Sequence, residues 1–407
     1  MERKDRTIKT HKTPSVVFIL LPLFVFAHFT HHLVAALITP LLPFIRDSFK
    51  MDYTRAGVLI SAFNLAYGGS QLPGGWLGGI AGFRMLITLG ISGVAFFGIL
   101  VGLSPGFILM SVFLILMGVI GGGYHPSASP VISRAVDEKH RGKALGIHQI
   151  GGTGSFFLAP LIAAGIARVL GWRGAFISLS VPTFIFGIFF SFLLKRWGYG
   201  REYDAGKIDA GIEKEKNKIA LRYIVPILIL NVCTQTFIYS SISFVPLYVV
   251  DRLGGSKEVA AAMLSLVHSA GLWGGPLGGF LSDRIGKIPI FLFVGIIAAP
   301  LIYLLNHISF GWSISVLLLF MGMAHYMGMP VTEAYIITHS PQKHRSTVLG
   351  FYYFASRGGP GVVAPFLGFL IDRFNFNTAF NVIASLMGII AAVCTTLILG
   401  KRADSGS

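Results

Sequence analysis

A helix that crosses a bilayer takes roughly 20 mostly apolar residues. Blocks of that kind cover residues 15–42, 54–80, 84–103, 106–134, 142–168, 173–194, 221–249, 256–283, 287–305, 310–338, 345–372 and 376–399. The pattern predicts twelve membrane-spanning helices, spans 1 to 12 in chain order, of which spans 3 and 9 are short and closely bounded. The one long polar stretch is 195–222, rich in Lys, Glu, Asp and Gly. It divides the chain into an N-terminal six-helix bundle, 15–194, and a C-terminal one, 223–400, with polar tails at 1–14 and 401–407. Residues 1–14 are basic, but the apolar block behind them is too long for a secretion signal and lacks a small-residue cleavage pattern. It reads as the first span.

Composition agrees with an all-α integral membrane protein. Charged residues make up 12% and hydrophobic residues 54%, with a mean hydropathy of +0.72. A soluble protein carries about 25% charged residues, so a soluble enzyme, a disordered chain and a nucleic-acid module are all excluded. The 50 glycines suit helices that approach one another closely. Cys233 and Cys394 both lie inside apolar blocks, which argues against a disulfide framework and against a zinc site.

The net charge of +16 is mostly a topology signal rather than a mark of a nucleic-acid partner. On twelve spans, 24 of the 33 Lys and Arg residues flank the side that holds the termini and the linker, and 8 flank the other. Arg357 alone lies within a span. The excess predicts that both termini and the linker face the cytoplasm, in a multi-pass protein of the cytoplasmic membrane.

The chain repeats itself at an offset of 204. Pro22 matches Pro226, Gly118 matches Gly322, Pro126 matches Pro330, and His140-Arg141 matches His344-Arg345. Ala159-Pro160 matches Ala364-Pro365 with one residue of slip. Two parallel six-helix repeats imply a pseudo-two-fold axis along the membrane normal, with a site between them near the midplane.

Between spans 8 and 9, the stretch Gly279-Phe-Leu-Ser-Asp283-Arg284-Ile-Gly286-Lys287 resembles the signature loop of the major facilitator superfamily. Its first-half counterpart, from Gly75 to Gly82, keeps glycines, Gly79 among them, but lacks the Asp-Arg pair. In span 5 the run from Ser155 through Ala159 and Pro160 to Ala164 resembles a degenerate form of that family's antiporter motif. The family's arginine in span 4 is absent, since residues 113–116 read Phe-Leu-Ile-Leu. The Gly123-Tyr124-His125-Pro126 run resembles the branch that contains fosmidomycin-resistance exporters. The resemblance implies twelve transmembrane helices in two pseudo-symmetric bundles, a cavity lined by spans 1, 4, 7 and 10, and a cytoplasmic latch in which Asp283 faces the N-terminus of span 11 near His344. Gly75 with Gly79, and Gly275 with Gly279, are spaced for close helix crossing. Pro160 and Pro365 are placed to bend spans 5 and 11.

Ionisable groups inside a membrane are costly and mark functional sites by default. Glu333 is the one acid and Arg357 the one base placed within spans. His28, His31 and His32 sit near the middle of span 1, and His28 shares a face with His31 and His32 through i,i+3 and i,i+4 spacing. The repeat sets Gln235 and Thr236 of span 7 opposite His31 and His32, with Asn231 on the face of Gln235. His125, His325, Glu333 and Arg357 complete the candidate substrate or proton sites, while His148 and His268 read as packing residues. Each histidine can equally serve as a hydrogen bond between helices, and Glu333 with Arg357 can equally form a buried ion pair. Histidine exchanges protons near neutral pH, which admits proton coupling, and the fixed charge of Arg357 points to an anionic or polar solute.

Function is therefore expected to be secondary transport of a small organic molecule by alternating access. Proton-coupled export comes first and proton-coupled uptake of an organic anion second. No cofactor and no metal are expected, and the partners are substrate, protons and lipid, with a monomer as the working unit. A primary pump is disfavoured because no G-x-x-x-x-G-K-[ST] pattern occurs. A membrane metalloenzyme using His28-x-x-His31-His32 remains a weaker alternative because it has one histidine box and not several. A passive facilitator or a sensor stays open.

Overall fold

The computed structural model describes residues 14–200, 221–340 and 342–403. Most of tail 1–14, most of linker 195–222 and the end of tail 401–407 lie outside the described residues. Fifteen α-helices carry the twelve crossings. Span 1 comprises α1 (Pro14–Ala35) and α2 (Ile38–Phe49), and span 2 is α3 (Tyr53–Ala81). Span 3 comprises α4 (Phe83–Thr88), a π-turn and α5 (Val94–Leu103), and span 4 comprises α6 (Phe107–Gly121) and α7 (Tyr124–Ala135). Spans 5 and 6 run together as α8 (Arg141–Arg196). In the second half, α9 (Leu221–Asp251) is span 7, and α10 (Lys257–Ser269) with α11 (Gly274–Ile285) is span 8. Then α12 (Lys287–Leu304), α13 (Trp312–His339), α14 (Gln342–Arg373) and α15 (Phe376–Ala403) are spans 9 to 12.

Among the described residues nine continuous helices are long and apolar enough to cross a membrane. One of them is α8, whose two crossings meet at Gly171, where φ 68° and ψ 171° reverse the chain. Only glycine reaches that backbone geometry without strain. The other difference from twelve lies in spans 2 and 8. The Gly68-Gly-Ser-Gln stretch dilutes α3, and a 3₁₀ turn at Ala270–Leu272 splits span 8 into pieces of 13 and 12 residues. Breaks also divide spans 1 and 4, at Ala36–Leu37 and Gly122–Gly123. Helix continues through Pro160 and Pro365.

The repeat is written into the caps as well as the sequence. Asp52 accepts a hydrogen bond from the Arg55 N–H to cap α3, and 204 residues on, Ser256 does the same for Val259 in α10. Left-handed turns recur at Lys50 and Gly254, and at Gly82 and Gly286, again 204 apart. Each half buries its own apolar core: Tyr248, Phe291 and Phe380 are typical of the second half, and Phe24, Phe176 and Phe190 of the first.

Alternate loops gather at opposite ends. The Arg173 guanidinium donates to the Ser104 carbonyl (3.0 Å), Tyr248 to Leu305 (2.5 Å) and Asn306 to Asn377 (3.1 Å) at one end. At the other end, that of the linker, the Arg84 N–H donates to the Gly200 carbonyl (3.1 Å).

The halves meet chiefly along α3 and α14, which pack more extensively than any other pair. Small residues allow this. A Cβ at Gly68 would lie 2.8 Å from the Gly358 nitrogen, and one at Gly361 would lie 3.0 Å from the Leu65 nitrogen. The glycines that the sequence spacing singles out are not the close ones. Gly79 and Gly279 have open space where a Cβ would be, and Gly275 meets nothing nearer than 3.9 Å. Contact falls one residue earlier, where a Cβ at Gly278 would come within 2.6 Å of the Met327 backbone and one at Gly74 within 3.0 Å of Pro126. The side-chain surroundings of Gly75 lie outside the described residues.

A second difference concerns the latch. Asp283 is exposed at the linker end and, among the described residues, has no hydrogen-bond or ion-pair partner. The side chain of His344 lies outside them. Arg284 rests its guanidinium over the Phe280 ring at 4.3 Å. Charged contacts between the halves lie at the opposite end. Arg46 binds Asp251 through both guanidinium nitrogens, Tyr53 donates to Asp251 at 2.9 Å, and Lys257 pairs with Asp47 at 2.6 Å. Asp372, at the end of α14, accepts from the Tyr53 N–H (2.9 Å), the Thr54 N–H (2.7 Å) and the Thr54 hydroxyl (2.6 Å). A carboxylate of one half thus caps the first turn of a helix in the other, where the helix dipole is positive.

This cap is one of the contacts that join the halves at the linker-distal end. Losing an N-cap costs about 1 kcal/mol. Asp372→Ala is therefore expected to raise, by about fivefold, the rate at which a membrane-impermeant thiol reagent applied from that side labels a cysteine at Ala36, with Cys233 and Cys394 replaced by Ser. An unchanged rate would show that the cap does not gate this face.

Candidate functional site

Between the halves lies a cavity. Its polar wall is made by His32, Asn64, Tyr67, Tyr239, His268 and Arg357, and its apolar wall includes Phe63, Phe156 and Leu264. These residues come from spans 1, 2, 5, 7, 8 and 11. Spans 4 and 10, expected from the resemblance to line the cavity, contribute no lining residue. Their polar groups stand one layer back, because the close crossings of spans 2 with 11 and 5 with 8 put those helices at the seam.

Arg357 is the charged group of the cavity wall. Its direction is set by the α3–α14 crossing, since the next residue, Gly358, abuts Gly68. Glu333 does not pair with it. Among the described residues no hydrogen bond or ion pair within 4.0 Å joins Glu333 to Arg357, although the guanidinium is near enough for its charge to act on the carboxylate. Among the described residues, no carboxylate lines the cavity and Arg357 has no hydrogen-bonded partner. A guanidinium removed from bulk water without a counter-ion is costly. An anionic ligand would relieve that cost through bidentate hydrogen bonds.

Neutral groups around Arg357 are held in defined orientations. Nδ1 of His31 lies 2.6 Å from the Gly90 carbonyl oxygen, so Nδ1 is the donor. In the neutral ring Nε2 then accepts from the Tyr67 hydroxyl at 3.1 Å, which leaves the Tyr67 oxygen to present lone pairs. His268 Nδ1 and the Tyr326 hydroxyl share a hydrogen bond of 2.8 Å, with the His268 ring stacked obliquely on Phe156 across the seam.

The remaining sequence candidates form a second layer. His28, His31, His125 and His148 pack behind His32 with Tyr124 among them, and ring centroids of His28 and His148 are 4.3 Å apart. Asn231 and Gln235 bond neighbouring helices rather than line the cavity: Gln235 donates to the His325 carbonyl of α13 (2.8 Å) and Asn231 accepts from the Tyr352 hydroxyl of α14 (3.2 Å). His325 backs Tyr239 at 5.4 Å between centroids. Ala159 is fully buried in span 5, Pro160 lines the cavity, and Ala364 packs against Gly57. Gly286 ends α11 with a positive φ, and Lys287 opens α12.

His268, read from sequence as packing, is a wall residue. Asn64, Tyr67, Tyr239 and Tyr326 were not singled out at all. The repeat held the signal for two of them. Asn64 and His268 are 204 apart, as are Ala35 and Tyr239, and all four line the cavity.

Comparisons with known proteins agree with this architecture. A family model described as Major Facilitator Superfamily matches residues 24–325 and 227–406. The glycerol-3-phosphate transporter of Bacillus subtilis is 24% identical over 396 residues, covering 89% of this chain and 88% of that protein. Multidrug resistance protein MdtG of Dickeya zeae is 27% identical over 288 residues, covering 69% of each. A crystal structure of a bacterial homologue of the human lysosomal transporter Spinster, inward-facing and occupied, superposes with a TM-score of 0.73 at 16% identity, covering 96% of this chain and 97% of that one.

The Tyr326–His268 hydrogen bond gives a test of the wall. A neutral hydrogen bond contributes about 0.5–1.5 kcal/mol. Tyr326→Phe frees the His268 ring and is expected to raise the half-saturation concentration of the transported solute by about two- to tenfold, measured by uptake into vesicles. No change would show that His268 does not contact the solute.

Proposed function

This chain belongs to the major facilitator superfamily, and we propose from that premise that it carries a small organic anion across the membrane, with Arg357 as the group that binds the anionic charge. The observation that carries this reading is a guanidinium with no ion-pair partner among the described residues, on a cavity wall without a carboxylate. A cationic or purely apolar solute would leave that charge unanswered. The glycerol-3-phosphate transporter among the relatives supports the same class, because its solute is a phosphate ester bearing two negative charges near neutral pH.

In this reading His32, His268, Tyr67 and Tyr239 bind the uncharged part of the solute, and the two bundles, 15–194 and 223–400, rock about the cavity as a monomer. Their opening at one end breaks the contacts of Asp372, Asp251 and Lys257. The excess of Lys and Arg at the linker end supports a cytoplasmic placement of both termini in the cytoplasmic membrane. Proton coupling through Glu333 or the midplane histidines is part of the proposal. Organic-anion transport takes precedence over drug export because of Arg357. The multidrug relative keeps export of a neutral or anionic drug as the second reading.

Hydrogen bonds to a charged group contribute about 1.5–3 kcal/mol. In proteoliposomes with a pH gradient, Arg357→Gln is expected to lower transport of glycerol 3-phosphate or another small phosphate or carboxylate by about ten- to hundredfold, with Arg357→Lys intermediate. Uptake unaffected by Arg357→Gln, or a panel in which only cationic compounds move, would overturn the reading.

A further inference from the structure

His28 and His125, behind the cavity, form with His32 of its wall a cluster whose geometry the anion reading leaves unexplained. One ring nitrogen from each of His28, His32 and His125 lies within 4.8 Å of the others. His32 Nε2 and His125 Nε2 share a hydrogen bond of 3.1 Å, which a bound metal would replace once both nitrogens present lone pairs. Around a tetrahedral zinc ion with bonds of about 2.0–2.1 Å, ligand nitrogens stand about 3.3–3.4 Å apart. One edge of the triangle is thus already near that spacing, and the longest needs ring rotation of about 1.5 Å or less.

The tautomer of His28 is fixed for such a role. Its Nδ1 lies 2.9 Å from the His148 carbonyl oxygen, which can only accept, so Nδ1 carries the hydrogen. Nε2 then holds a lone pair, and it is buried with no hydrogen-bond donor, in a side chain 2% exposed. A buried acceptor left unmet costs about 1–3 kcal/mol. Metal-binding histidines have this second shell, with the far ring nitrogen donating to a backbone carbonyl.

Space around the ring is made by glycine. A Cβ at Gly152 would fall 2.6 Å from His28 Nε2. His31 takes no part, since both its nitrogens are engaged by Gly90 and Tyr67. His32 lines the cavity and supplies an entry path.

We propose that His28, His32 and His125 form a binding site for a borderline divalent cation of the zinc class, with a fourth position on the cavity side. Three neutral imidazoles suit zinc, copper or nickel and not magnesium or calcium, which take oxygen ligands. A fourth ligand from water, ionised by the metal, or from an anion in the cavity offsets part of the positive charge. The site does not depend on the anion reading, and either can fail alone.

Cobalt reports the site directly, because tetrahedral Co²⁺ absorbs strongly in the visible. Purified full-length protein in detergent is expected to develop that band with one equivalent of Co²⁺ and to lose it when Zn²⁺ is added. Apparent affinity is expected to fall by at least about tenfold in His125→Gln and in Gly152→Ala, the latter keeping every histidine, and to be unchanged in His307→Gln, a substitution of an exposed histidine in the turn after α12. Absence of the band in the wild-type protein overturns the proposal whatever the variants do. A band that survives replacement of His28 and His32 by Asn, or one lost in His307→Gln, overturns it too.

Discussion

The α3–α14 crossing governs this structure because it solves two problems with one set of residues. Two helices of different halves must approach closely enough to seal a seam, and one of them must aim a guanidinium into the space between. Gly358 and Gly361 bring the backbones together, against Gly68 and Leu65. Arg357 precedes Gly358, so the register that permits contact at 358 turns the neighbouring side chain off the contact face and into the cavity. Any residue larger than glycine at 68 or 361 would separate the helices and loosen the hold on Arg357 at the same time.

The two halves have diverged around this fixed charge. Where the first half stacks histidines behind the cavity, the second half places hydroxyl groups, with Tyr239, Tyr326, Tyr352 and Tyr353 in comparable depth. Imidazole nitrogens locked onto backbone carbonyls make a stiff layer, as at His28, His31 and His148. Hydroxyl groups rotate more freely and can donate or accept. A rigid wall facing an adaptable one is a sensible division of labour for a cavity that must bind a solute in two conformations.

Much of the fold was legible because a bilayer leaves the backbone few options. Twelve apolar blocks, the offset of 204 and the placement of Lys and Arg gave the architecture. Arg357 stood out for the same reason, since a lone base in a span is conspicuous. Which face of a helix meets the cavity was far less legible. Asn231 and Gln235 share a polar face, but that face bonds α13 and α14 rather than lining the cavity, because a polar side chain in a span is satisfied as well by a neighbouring helix as by a ligand. His268 looked like packing because nothing local marks the seam between spans 5 and 8. The glycine register failed by one position, at Gly278 rather than Gly279, since runs of paired glycines carry no information about which member faces the neighbour.

The position of the charged contacts bears on how such a molecule moves. At the linker-distal end, Asp372 caps α3, and Asp251 and Asp47 hold Arg46 and Lys257. Each of these contacts is partly exposed, and exposed ion pairs contribute only about 0–1 kcal/mol each. Weakness is the useful property. Two conformations separated by a few kcal/mol can be exchanged by a ligand only if it binds them differently by a similar amount. A strongly buried ion pair at the gate would exceed what one solute can supply. In the anion reading the strong electrostatic term sits instead at Arg357, where the solute would provide the missing charge, so that binding and gating would operate on the same energy scale.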